Sequence, residues 1–462
     1  MLSLADAILQ EDINSVMQFL RHGEEMNQID EYGFTPLIEA AIINNIELSK
    51  LLLEHGANPN QQDATGGSAL HWAAENNNLD LCRLLIKQGA NPNSYNFAGQ
   101  SVVVMPMLRG QKQLKQLFIQ AGANPIFAQD FINTKLLGHL FELIGTANLV
   151  DQNNQFVEID FEGFYIEITL GLIADSLAQF QNHFAARQLR RYSGLAQFIV
   201  EVIRNASQLI QYQQYLIDIK NHHTQIDSLL QHQPLLIPVG YEGHAITFIC
   251  SGDTWVKCDR REDSRLYDNI VFYRVTHTKH LTKELFKHIL YTKQTSQFIN
   301  HELDQLLGLT PITELKIESQ ISGNCSWANV EAAIPILFFL VLMQANKDDQ
   351  ATPYYKTLAL NFFHRWREWN KKRMLNFCVQ SYEEGDAIRK ACKAEILAAI
   401  LFQRCDIRNP SDRNWIETIL SILIHSPYEY LLKNYLRIYY YENRTEDGKR
   451  FAELLREYEY LK

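Results

Sequence analysis

Across the first 128 residues, apolar positions form short helical stripes that return with a fixed step. Leu37–Ala41 (LIEAA) and Leu70–Ala74 (LHWAA) open two of the periods, and the leucine runs LSKLLLEHG and LCRLLIKQG follow them. Gly23, Gly56, Gly89 and Gly122 stand 33 residues apart each time (56 − 23 = 89 − 56 = 122 − 89 = 33). The segment GANPN occurs at Gly56–Asn60 and Gly89–Asn93, Gly122–Pro125 is a third copy, and Gly23 with Asn27 is a degenerate first one. Thr35-Pro36-Leu37, Ser68-Ala69-Leu70 and Ser101-Val102-Val103 keep the same step. Each period therefore predicts two helices. Thr35 or Ser68 caps the first by accepting from a free backbone N–H. The alanine pair keeps that helix thin, the leucine run buries the second, and glycine ends it in the left-handed conformation.

Beyond residue 128 the periodicity changes. NLVDQNNQ (Asn148–Gln155) is a polar break, and Phe156–Leu170 alternates apolar and polar around Gly163, which predicts a hairpin there. Residues 171–232 read as mostly helical. Four strand-like runs follow: Leu235–Val239, His244–Cys250, Thr254–Asp259 and Asn269–Val275. Helical spacing returns from Thr282 to Leu307, and nearly continuous helix runs from Cys325 to Lys462. The apolar run Ala332–Ala345 carries Pro335 and is too short to span a bilayer, so it reads as a buried helix. The expected organisation is an all-α solenoid over 1–128, an α+β domain over 129–345, and a helical C-terminal region over 346–462, either separate or part of the same domain.

The four in-phase copies resemble the ankyrin repeat family, whose stacks bind other proteins along a concave face through hairpin tips and first helices. That resemblance implies a protein partner at the tips, with Tyr32, Asp63, Thr65, Tyr95 and Phe97 as candidate contacts. Exposed aromatics at a tip have little structural reason to exist, which singles out Tyr95 and Phe97. Asn60 and Asn93 lie eight residues after Leu52 and Leu85, as in ankyrin proteins modified by an asparaginyl hydroxylase; the alternative is that they hydrogen-bond the hairpins.

One constellation carries chemistry. His244 opens a strand-like run and Asp259 closes the next, with the tight turn Ser251-Gly252-Asp253 between them. Antiparallel pairing brings both to one sheet end. Cys325 immediately precedes the apolar helix, where unpaired N–H groups lower a thiol pKa. An imidazole beside that thiol and a carboxylate behind the imidazole make an activated nucleophile. The order His, Asp, Gln, Cys resembles papain-like cysteine peptidases, including deubiquitinase-like and ubiquitin-like-protein peptidases and the acyl transferases built on that fold. It implies Cys325 as nucleophile, His244 as base and acid, Asp259 as orienter and Gln320 as oxyanion donor. Ala245 and Ser326 depart from the Trp and Gly that often follow the His and Cys. Structural alternatives exist for each: a strand-end His, a core thiol, and an Asp259 paired with Arg260 or Arg261. Asp253, Asp263 and Asp268 are competing acids.

Composition narrows the partners. The 462 residues carry a formal charge of −10, which argues against broad nucleic-acid binding. The basic, aromatic segment Phe362–Arg373 keeps helical spacing and reads as a packed helix with a solvated basic face. Seven cysteines without a CxxC pair read as reduced thiols, with no disulfide framework, metal or cofactor expected. MLSLADAILQED has neither a basic n-region nor an apolar h-region. Ankyrin repeats joined to such a domain, with an acidic tail over Glu442–Glu459, resemble the ankyrin-repeat effectors that Legionella delivers through a type IV secretion system. The resemblance implies a virulence effector acting in the host cytoplasm or nucleus, and the chain is expected to be a monomer. It leaves three activities open: thiol hydrolysis of a peptide or isopeptide bond, acyl transfer on the same residues, or non-enzymatic adaptor binding.

Overall fold

The computed structural model describes residues 3–213, 219–260, 269–320, 323–345 and 351–461. Four helix pairs open the chain: α1 (Leu4–Leu9) and α2 (Ile13–Arg21), α3 (Pro36–Ile42) and α4 (Ile46–Glu54), α5 (Ala69–Glu75) and α6 (Leu79–Lys87), α7 (Val104–Leu108) and α8 (Lys112–Gln120). Thr35 caps α3 through Ile38 N at 3.3 Å. Asn45 and Asn78 cap the second helices through Leu48 N and Leu81 N, both at 2.9 Å. Ala40, Ala41, Ala73 and Ala74 are buried with Leu48, Leu52, Leu81 and Leu85. Each fully buried leucine contributes about 1.5–3 kcal/mol, and neighbouring copies supply that burial. Gly56, Gly89 and Gly122 all hold φ near +90°, the left-handed conformation that ends each second helix.

After α9 (Pro125–Leu140), β1 (Thr146–Val150) pairs antiparallel with β2 (Phe156–Asp160). The hairpin turn is Asp151–Gln155, not Gly163: Asp151 Oδ1 accepts from Asn153 N at 2.7 Å and Gln155 N at 2.9 Å. The alternation expected to continue to Leu170 gives way to α10 (Ile166–Asn182). Ile173, Ala174, Leu177 and Phe180 are buried along it at helical spacing, and that longer period wins over the short alternation.

Next come α11 (Ser193–Gln211), α12 (His223–Leu229), β3 (Leu235–Tyr241), β4 (His244–Ser251), β5 (Thr254–Cys258), β6 (Ile270–Val275), α13 (Lys283–Tyr291), α14 (Leu303–Leu307) and β7 (Leu309–Leu315). β3 to β7 form one antiparallel meander in chain order. The expected four strands are present, and β7 adds a fifth that the apolar pattern does not reveal. It is an edge strand carrying Pro311, with Leu315 its one buried residue.

The remaining helices are α15 (Cys325–Glu331), α16 (Ala333–Ala345), α17 (Thr352–Glu384), α18 (Ala387–Arg404), α19 (Arg413–Leu423), α20 (Glu429–Tyr435) and α21 (Glu446–Glu457). Cys325–Ala345 is long and apolar enough to cross a membrane, but 83% of its most apolar window is buried inside the protein. In α17, Phe362, Phe363 and Trp366 are buried and Arg365 and Lys372 are exposed, whereas Arg367 is buried rather than solvated. α21 buries Phe451, Leu454 and Leu455 and leaves Glu453 and Glu457 exposed.

The chain divides into two compact units built from discontinuous segments. The first comprises Met1–Lys135, Gly145–Asp160 and Cys378–Lys462; the second comprises Leu136–Ile144 and Phe161–Phe377. Within the first, Asp130 pairs with Arg389 and Lys393, each at 2.9 Å, and Asn148 donates to Glu395 at 3.1 Å. The second holds the five-stranded sheet together with α10, α11, α15 and α16.

Candidate functional site

The second unit brings three of the four chemistry-bearing residues together directly. The two-residue turn Glu242-Gly243 starts β4 at His244. Thr247 lies opposite Cys258, so Asp259 falls opposite Ile246, on the same sheet face as His244. His244 Nε2 and Asp259 Oδ1 are 2.9 Å apart. The Tyr241 ring stands edge-on to the imidazole at 5.5 Å. His244 also hydrogen-bonds with Cys325.

Cys325 is half-buried at the start of α15. Burial alone would push its thiol up. Hydrogen bonds with His244 and with the backbone N–H groups of Ala245 and Ser326, together with the imidazole's charge, outweigh burial and hold the pKa below the ordinary thiol value. The other six cysteines are buried. Burial pushes Cys82, Cys250, Cys258 and Cys392 up to about 12 and Cys378 to about 11. Gln320 is 7% exposed, and its backbone N–H donates to Arg260 O at 2.8 Å. Its side-chain Oε1 is buried without a hydrogen-bond partner among the described residues. Of the competing acids, Asp253 pairs with Arg274 at 2.6 Å in the β4–β5 turn, remote from His244; Asp263 and Asp268 lie outside the described residues.

Several supporting groups were not visible in the sequence. Arg260 is fully buried; its Nη1 donates to Ala328 O and Glu331 Oε1, both at 3.1 Å, and its Nε to Glu318 O at 2.9 Å. Arg367 reaches Glu142 at 2.6 Å and Glu331 at 3.3 Å, closing a buried network of two guanidiniums and two carboxylates. Trp327 Nε1 donates to Glu331 Oε2 at 3.1 Å. Asn324, just before the cysteine, meets His139 Nδ1 at 2.6 Å, and that imidazole stacks on Trp327 at 5.7 Å. Asn329 lies one helical turn after Cys325 and is buried in α15 beside Ser326 and Glu331. Among the described residues, no group of three or more His, Cys, Asp or Glu side chains could hold a metal ion.

The candidate tip residues part company. Tyr32 (63% exposed) and Phe97 (73% exposed) stand out from the stack, and Thr65 is exposed between them in sequence. Asp63 is buried instead: its carboxylate takes Thr65 N and Oγ1, Gly67 N, and Trp72 Nε1 at 2.9 Å. Those donors leave it closing the hairpin, with no free face for a partner. Tyr95 is half-buried because its ring packs on Phe127 at 5.6 Å, so the exposure expected of it belongs to Phe97 alone. The tips are stitched together, with Ala64 N donating to Gly33 O at 3.0 Å and Phe97 N to Thr65 O at 2.9 Å. Asn60 donates to Gly89 O at 2.8 Å and accepts from Asn91 N at 2.7 Å; Asn93 does the same with Gly122 O and Asn124 N. Both side-chain amides therefore join consecutive repeats.

Known proteins resemble the chain in two ways. A family model described as ankyrin repeats (3 copies) matches residues 4–96. No curated protein matches the chain. A solved structure described as that of the Legionella effector AnkH is 39% identical, covers 98% of this chain and 97% of its own, and superposes with a TM-score of 0.85. At that identity over nearly the whole of both chains, this protein belongs to the family of the Legionella effector AnkH.

Proposed function

We propose that this protein is a translocated effector, delivered by type IV secretion, that holds a host protein on its ankyrin stack and acts on a carbonyl substrate with Cys325. The observation that carries the reading is the contact chain from Asp259 to His244 to Cys325. A papain-like reading of the region draws support from the same chain order and from an antiparallel sheet that feeds His and Asp towards the cysteine. In the proposed reaction the imidazole takes the thiol proton and the thiolate adds to the carbonyl carbon of a peptide or isopeptide bond. The Gln320 side chain and the Cys325 backbone N–H receive the oxyanion. His244 returns the proton to the leaving amine, and water, deprotonated by the same imidazole, hydrolyses the thioester. Asp259 holds the ring towards sulfur.

The partner face on this reading is the tip row with Tyr32, Thr65 and Phe97. A host asparaginyl hydroxylase would reach Asn60 or Asn93 only after the local ladder opened, because both amides are engaged. The test of the thiol reading is labelling of the full chain with ubiquitin-derived and peptide-derived electrophiles, followed by mapping of adducts. An adduct at Cys325 that disappears in Cys325→Ala and weakens in His244→Ala is expected. No adduct at Cys325 with either probe would refute it.

A further inference from the structure

β4 and β5 pair from Ser251↔Thr254 to Thr247↔Cys258. The two-residue turn closes on a rung that exchanges both backbone hydrogen bonds, so positions 251, 249 and 247 are the exchanging rungs. The next in the series would be Ala245 opposite Arg260, but the ladder stops before it. Asn329 occupies the place instead. Its Nδ2 donates to Ala245 O at 2.6 Å, and its Oδ1 accepts from Arg260 N at 2.9 Å. Two groups that would have bonded each other across the strands bond one side-chain amide. The other two groups of that rung are released: Arg260 O accepts from Gln320 N at 2.8 Å, and the Ala245 N–H meets the Cys325 sulfur.

We propose that Asn329 is a positioning residue of the thiol site, its amide wedging open the Ala245–Arg260 rung so that the parted strand ends are tied to Cys325 and Gln320. The inference rests on the thiol reading above. Each anchor is adjacent to a proposed reacting group: Ala245 follows His244, Arg260 follows Asp259, and Asn329 lies one helical turn beyond Cys325. Asn329 is 1% exposed, and burying an amide is costly unless it is hydrogen-bonded on both sides. An apolar side chain here would leave Ala245 O and Arg260 N to pair with each other. The closing rung would draw the Ala245 N–H towards Arg260 O and away from sulfur.

The test is the pH dependence of Cys325 alkylation by iodoacetamide in the full-length chain, mapped by mass spectrometry. His244 from β4, Asp259 from the end of β5, Glu162 packed on Gly323, and His139 on Asn324 are the titratable groups around the thiol, and the substitution removes none of them. In Asn329→Leu the midpoint should rise, and alkylation at pH 6.5 should fall about tenfold or more, the effect of losing one hydrogen bond to a thiolate. In the unmodified chain, the Ala245 amide proton shift should titrate with the alkylation midpoint, a readout that needs no variant. A folded Asn329→Leu with the parent profile, or a pH-independent Ala245 amide, overturns the inference. If His244→Ala raises the midpoint while Asn329→Leu does not, only the positioning role fails. If His244→Ala leaves an ordinary thiol profile unchanged, the thiol reading fails and takes this inference with it.

Discussion

Glu39 makes the internal chemistry of the ankyrin stack measurable. In the third copy, Trp72 Nε1 donates to Asp63 Oδ2 at 2.9 Å. One period earlier, Asp30 stands where Asp63 does and Glu39 where Trp72 does (63 − 30 = 72 − 39 = 33). Asp30 Oδ1 accepts from Tyr32 N and Phe34 N at 2.9 Å, while its Oδ2 is buried without an ordinary donor. Glu39 is 3% exposed. Burial first, then its hydrogen bond with Asp30 and the charges of Asp30 and Asp6, push its carboxyl up to about 8. A protonated Glu39 thus donates where Trp72 does.

The folded pKa lies above the ordinary value of 4.5, so the native chain keeps a proton that the unfolded chain releases. The stabilisation is therefore complete below about pH 4.5 and is lost as pH rises through 8. At about 1.4 kcal/mol per unit, the loss between pH 5 and 8 is about 3.5 kcal/mol. Glu39→Gln supplies a permanent N–H donor of nearly the same shape. It should match the parent near pH 5 and gain about 3.5 kcal/mol over it at pH 8. Hydrogen exchange of the α3 peptide, compared between the two chains at each pH, cancels the intrinsic rate and should show a ratio growing to about a few hundredfold. A ratio that stays constant from pH 5 to 8 would refute the shared-proton argument.

Other consequences are more direct. Glu331→Gln leaves Arg260 and Arg367 buried with Glu142 as their remaining carboxylate, and should lower stability by about 3–5 kcal/mol in urea titration. Gly66 holds φ +81°, and a Cβ there would lie 2.7 Å from Phe97 N, so Gly66→Ala should cost about 1–3 kcal/mol and lower the thermal midpoint. Phe97→Ala removes a ring that is 73% exposed; stability should change by less than about 0.5 kcal/mol while recovery of the captured host protein drops. Because Cys325 reacts as the thiolate, its alkylation should fall as pH drops through a midpoint below the ordinary thiol value, and His244→Ala should move that midpoint upward.

The repeat was legible because its signals are local. A helix end in the left-handed conformation selects glycine, and the same demand every 33 residues writes itself into the sequence. The ends of β4 and β5 were legible for a similar reason, since continuous apolar runs flank a two-residue turn. What was missed depends on distant partners. β7 is an exposed edge, so no apolar face marks it. Phe156–Leu170 alternates over a span too short to reveal that its second half belongs to a helix. Tyr95 looked like a free tip aromatic, and only packing supplies Phe127 to cover it. Asp63 looked like a surface acid, yet four donors from its own hairpin and α5 consume it.

Arg261 lies outside the described residues, and the choice between Asp259 as orienter and Asp259 as a partner of Arg260 turns on the period of a strand. Adjacent side chains on extended backbone point to opposite faces. If Asp259 faces His244, Arg260 must face away from it, and the structure shows where that side chain goes: into Glu331 and Glu142, fully buried. Arg260 is therefore committed from both ends. Its backbone N–H and C=O hold Asn329 and Gln320, while its guanidinium anchors the strand end to Ala328, three residues beyond the cysteine. A surface pair between Asp259 and Arg260 would have cost little to form and done little. Turning the arginine inward leaves the carboxylate beside the imidazole, and it makes the position of that carboxylate relative to Cys325 a property of the buried network.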